Sequence, residues 1–131
     1  MAISWEIKGG LVWVESIGDS GVDERISTID AILEDPAYRS GMGLIYDVRR
    51  RTSVPEAVEV QQTVSYLASR GKEIGRSRWA LVVNTEAGFG MGRMAGALLE
   101  STSATRAPGS MLTGRVFRDL ADAEAWVRGS D

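Results

Sequence analysis

The 131-residue chain contains neither cysteine nor histidine. Without cysteine there is no disulfide framework, no thiolate nucleophile and no thiolate-bound metal. Without histidine there is no imidazole base titrating near neutral pH and no zinc site of the usual kind. Long apolar runs are also missing; none approaches the roughly 18 residues that a membrane-spanning helix needs. The opening Met1–Gly10 has no basic start and no apolar core, so no signal peptide is expected and the cytoplasm is the default compartment. A net charge of −3 argues against a nucleic-acid partner, because a phosphate backbone rewards a basic surface.

What is present is ordinary globular material: 44% hydrophobic and 25% charged residues, enough for one domain over residues 1–131 with a real core. Lysine is scarce, with Lys8 and Lys72 standing beside thirteen arginines. Arginine suits bidentate recognition of carboxylate or phosphate, although base composition of the genome explains the bias equally well. No cofactor is implied, and only a carboxylate site for a hard cation stays open.

Along the chain the hydrophobic period changes twice. Ile3–Lys8 alternates apolar and polar residues, Gly9-Gly10 follows, and Leu11–Ile17 is again strand-like, which predicts a hairpin closed by a primed turn. Val22, Ile26, Ile29 and Leu33 recur at helical spacing before Asp35-Pro36. Gly43–Val48 and Trp79–Val83 read as buried parallel strands. Between them, Ser53-x-x-Glu56 predicts a capping box for a helix facing inward through Ala57, Val60, Val64, Leu67 and Ala68. Gly88 to about Ser101 reads as a helix with Met91, Met94, Ala95 and Leu98 inward, and Ser101–Ser110 as a loop by composition. Leu112–Phe117 is a last strand, and Leu120, Ala123, Trp126 and Val127 line a final helix. Strands alternating with helices predict an α/β domain: an N-terminal hairpin leading into a mostly parallel, five-stranded mixed sheet with about four helices.

Ligands of open parallel sheets bind beyond the carboxyl ends of the strands. That rule selects Gly18–Gly21, Arg49–Ser53, Asn84–Gly92 and Arg118–Asp119. Arg49, Arg50, Arg51 and Ser53 precede a helix, where free N–H groups would add to three guanidiniums in holding an anion. Alternatively the arginines spread into water and Ser53 is only a cap. Gly88, Phe89, Gly90, Met91, Gly92 and Arg93 form the most unusual stretch. Gly90, Gly92 and Ala95 fit the G-x-G-x-x-G/A spacing, but no second mononucleotide half follows, which disfavours a dinucleotide. A loop docking a peptide or a small apolar ligand through Phe89 and its methionines is the functional reading; a turn with core methionines is the plain one. Asp47, Glu86 and Asp119 share the rim and leave Mg²⁺ conceivable, against capping or pairing with arginine. Trp5, Trp13, Trp79 and Trp126 fall on core-type faces.

Leu44-Ile-Tyr-Asp-Val48, Trp79-Ala-Leu-Val-Val83 and Arg115-Val-Phe-Arg-Asp-Leu-Ala-Asp-Ala-Glu-Ala-Trp-Val127 together resemble STAS-like domains of the SpoIIAA-like (anti-anti-sigma-factor-like) family. Phe117, Asp119, Ala123 and Trp126 carry its most specific piece, and Gly90–Met94 looks like a subgroup feature. The resemblance implies a mixed sheet with helices, no catalysis, and work by binding a partner. It further implies a phosphorylated serine near Thr52-Ser53, but the family's Asp-Ser-Ser/Thr-Gly signature is absent, since Arg51 precedes and Val54-Pro55 follows. A relation to lipid-binding CRAL-TRIO domains leaves room for an apolar ligand. The leading expectation is therefore a non-enzymatic regulatory domain that contacts a protein or itself. The alternative is a carrier or sensor of a small apolar or anionic ligand at the strand-end rim; a Mg²⁺-dependent enzyme ranks third.

Overall fold

The computed structural model describes residues 2–51, 53–106 and 112–129. Its elements run β1 (Ile3–Lys8), β2 (Leu11–Ile17), α1 (Val22–Glu34), β3 (Gly43–Arg50), α2 (Ala57–Ser69), α3 (Gly71–Ile74), β4 (Ser77–Val82), α4 (Glu86–Arg106), β5 (Leu112–Phe117) and α5 (Leu120–Val127). The five strands lie in one sheet in chain order. The hairpin pair β1–β2 is antiparallel, closing from Lys8 opposite Leu11, and β2 through β5 are parallel. Gly9 and Gly10 take φ of +62° and +79° in the turn, the pair of positive values that a primed turn demands.

Alternation along the strands divides the core between the two faces of the sheet. Leu11, Ile45, Ala80 and Val82 point to one face and are covered by Ala123, Trp126 and Val127 of α5. Asp119 starts that helix, its carboxylate accepting from the N–H groups of Ala121 and Asp122. Val12, Val14, Leu44, Trp79 and Leu112 point to the other face, where α1, α2 and α4 pack. Three parallel crossovers connect sequential neighbours, and their helices lie on that same side, as a constant crossover hand requires.

Four local expectations change. The buried stripe of α1 is Arg25, Ile29 and Ile32, with Val22, Ile26 and Leu33 only half-buried. Ser53 does not cap α2: the capping box is formed by Glu56 and Glu59, and the helix starts at Ala57. A cap at Ser53 would require helical backbone at Val54, which the following Pro55 disfavours. The segment around Gly88 is not a loop, because α4 begins at Glu86, with Thr85 Oγ1 accepting from the Gly88 N–H at 2.9 Å. Residues 101–106, expected as loop, continue α4, while residues 107–110 lie outside the described residues.

Candidate functional site

Central strands of a sheet covered by helices should bury their inward side chains completely. On β3 and β4 they do not: Tyr46, Val48, Trp79 and Leu81 all keep part of their surface uncovered. They border a cavity of about 260 Å³ between the sheet and helices α1, α2 and α4. Its far walls are Ile29 and Ile32 of α1, Val60 and Val64 of α2, and Met91 and Ala95 of α4.

The glycines of α4 account for part of this shape. Gly88, Gly92 and Gly96 fall on one side of the helix. A Cβ at Gly92 would lie 2.7 Å from Val116 Cγ2, and one at Gly96 would lie 2.8 Å from the Gly114 carbonyl oxygen. The helix axis therefore sits close upon β5. α2 packs more extensively on α4 than on α1, and the gap opens over β3 and β4. Gly88, Gly92 and Gly96 thus serve close packing, Gly90 does not, and none of the four takes a positive φ.

The walls carry few polar groups, and three of those are incompletely satisfied. The Tyr46 hydroxyl, the Trp79 indole N–H and Arg25 Nη2 are buried and have no hydrogen-bond partner among the described residues. An unmet buried donor costs on the order of 1–3 kcal/mol, so three on the walls of one cavity are a feature to explain. One end of the cavity is formed by Arg25, Arg51, Ser53, Val54, Pro55, Asn84 and Thr85. Asn84 Nδ2 donates to the Arg49 carbonyl at 3.0 Å and ties the ends of β3 and β4 together.

The three consecutive arginines separate. Arg49 forms a fork on Asp47, with bonds of 3.0 and 2.8 Å. Burial pushes the Asp47 carboxyl up, but the hydrogen bonds and charge of Arg49 together outweigh it and hold the group below its ordinary value. Arg50 is exposed and lies 3.9 Å from Glu15. Only Arg51 turns inward, its Nε donating to the Ser53 carbonyl. An anion site built on all three is not what the chain forms: Arg49 is held on Asp47, Arg50 stays in solvent beside Glu15, and Arg51, just past the end of β3, is free of the strand's alternation and turns in. Ser53 is exposed, and its N–H donates to Asp19. Thr52 lies outside the described residues.

Of the α4 segment, Gly88, Met91 and Gly92 line the cavity. Phe89 lies outside it under the Arg118 guanidinium, 4.7 Å from the ring centre, and Gly90 and Arg93 are exposed. The carboxylates considered for Mg²⁺ each have another partner: Asp47 binds Arg49, Glu86 accepts from Arg118, and Asp119 caps α5. Among the described residues no cluster of three metal-type ligands occurs. Among the described residues, too, no helix is long and apolar enough to cross a membrane.

Sequence reasoning missed Arg25, Tyr46 and Trp79. The signal for Arg25 was a lone arginine four residues before Ile29, inside what becomes the buried stripe.

No family model matches the chain, and no curated protein matches it in sequence. Among solved structures it is similar to an uncharacterised protein of the DUF3478 family with a SpoIIAA-like fold, from Shewanella loihica PV-4. The TM-score is 0.62 at 15% identity, over 96% of this chain and 94% of that one. The chain therefore has a SpoIIAA-like fold, as residues 44–48, 79–83 and 115–127 suggested.

Proposed function

We propose that this protein is a non-catalytic binding domain whose ligand is a small, largely apolar molecule held between the sheet and helices α1, α2 and α4. The observation that carries the reading is the cavity itself, with Tyr46, Val48, Trp79 and Leu81 left part-uncovered at the centre of the fold. Protein interiors pack to a density near 0.75, so an unfilled space of this size forfeits contacts that a ligand would restore. An engineered apolar cavity of about 150 Å³ accepts benzene, and the same ratio gives about ten non-hydrogen atoms here. Contact with a protein partner, which the fold resemblance implies, has less to stand on. Among the described residues only Ile17 and Val58 are large, exposed hydrophobics.

The test is thermal unfolding with octan-1-ol. A ligand at a hundred times its Kd adds about 2.7 kcal/mol, which for this length raises Tm by about 10 °C. Ala95→Leu places extra carbon in the void and should remove the response while leaving the unliganded Tm equal or higher. No response in the unmodified protein contradicts the reading.

A further inference from the structure

The chemistry of the ligand's polar end can be read from one end of the cavity, an inference that rests on the reading just given. Two arginines there are almost withdrawn from water: the Arg25 side chain is 8% exposed and that of Arg51 is 7% exposed. They arrive from α1 and from the end of β3 and meet at Ser20. Arg25 Nη1 donates to the Ser20 carbonyl at 2.9 Å, and Arg51 Nη1 donates to its hydroxyl at 3.3 Å.

Buried guanidiniums are costly unless a carboxylate neutralises them directly. Here the nearest carboxylates stand off. Glu59 is 3.7 Å from Arg25 Nη2 and Asp19 is 4.0 Å from Arg51 Nε, both beyond hydrogen-bond length and partly in solvent. Each is also engaged elsewhere, Glu59 by the Glu56 N–H and Asp19 by the Ser53 N–H. Arg25 Nη2 is left with no hydrogen bond. Arg25 further occupies the first turn of α1, the end of a helix at which its dipole disfavours a cation. Two positive charges are thus held at one end of an apolar cavity against adverse terms.

We propose that the ligand is an amphiphile whose single anionic head group, a carboxylate, is received by Arg25 and Arg51, its apolar part lying along Tyr46, Leu81 and Met91. The planar guanidinium matches the two oxygens of a carboxylate, and Arg25 Nη2 supplies an unused donor. Retaining both arginines is then explained, because the bound anion supplies the direct, hydrogen-bonded neutralisation that Glu59 and Asp19, at 3.7 and 4.0 Å, do not.

Calorimetric titration near neutral pH with octanoate, octan-1-ol, octylamine and octyl phosphate tests this. Octanoate should bind at least about tenfold more tightly than octanol, and octylamine least tightly, as a charge-assisted bond predicts. Arg25→Met and Arg51→Met should each remove the preference for octanoate and leave octanol binding unchanged. Octanol equal to octanoate, octylamine tighter than either, or a preference that survives both substitutions overturns the head-group assignment while leaving the cavity reading intact. Octyl phosphate binding more tightly than octanoate overturns the carboxylate in favour of a phosphate. Binding of none of the four defeats both readings together. Should either variant fail to fold by circular dichroism, the ranking of the four probes on the unmodified protein still decides.

Discussion

Gly90→Ala and Gly92→Ala, two positions apart on α4, should move stability in opposite directions. Each replacement recovers about 1 kcal/mol of helix propensity. At Gly90 no heavy atom lies within 4 Å of the new Cβ, so the gain is kept. A rise of about 0.5–1 kcal/mol follows. At Gly92 the new Cβ meets Val116 Cγ2 at 2.7 Å, Val116 Cβ at 2.9 Å and Leu81 Cδ2 at 3.0 Å. Val116 Cβ is bonded directly to the backbone of β5 and cannot rotate aside, so helix and strand must separate. Overpacking of this kind costs about 1–3 kcal/mol, which leaves Gly92→Ala up to about 2 kcal/mol less stable than the parent. For a chain of this length 1 kcal/mol corresponds to about 4 °C in Tm. Chemical and thermal denaturation measure both variants directly. A Gly92→Ala protein stabilised as much as Gly90→Ala, or a clearly destabilised Gly90→Ala, would refute the close seating of α4 that shapes the cavity.

Two further outcomes are expected. Ser53→Ala should leave stability within about 0.5 kcal/mol, whereas Glu56→Ala should cost about 1 kcal/mol, because Glu56 and not Ser53 closes the capping box of α2; urea denaturation separates them, and the reverse order contradicts the assignment. The Asp47 carboxyl is held below its ordinary value of 3.8, so its contribution is present above that pH and is lost as pH falls through the lower folded-state value. Asp47→Asn should therefore reduce stability at neutral pH, with the difference from the parent shrinking below about pH 4; a difference that persists in stronger acid argues against the Arg49 fork as its source.

Legibility of the sequence followed the strength of local signals. The bounds of β1, β2 and β5 coincide with Ile3–Lys8, Leu11–Ile17 and Leu112–Phe117 because alternation and turn glycines punctuate them sharply. The face of α5 was readable for a similar reason, since Leu120, Ala123, Trp126 and Val127 are apolar neighbours on one stripe. The start of α4 was obscured by Gly88, Gly90 and Gly92, of which Gly88 and Gly92 serve close packing, whereas composition alone assigns glycine to turns. Arg25 was hidden because a charged residue in a buried stripe shifts the apparent phase of the helix by one position. The cavity itself has no sequence signature. It arises from the spacing of three helices over one sheet face, a property of packing between segments far apart in the chain. The rim rule found one end of it through Arg51, Ser53 and Asn84, and Gly88 through Gly92 marked another wall.

The central claim is occupancy of the space between the sheet and helices α1, α2 and α4. Methyl chemical-shift mapping during titration with octanoate tests it most directly. The account predicts perturbations concentrated at Val48, Leu81, Met91 and Ala95 on the cavity wall, with Ile17 and Val58 on the outer surface unmoved. Perturbations spread over the exterior, or shifts at Ile17 and Val58 with none at Leu81 and Met91, would contradict it.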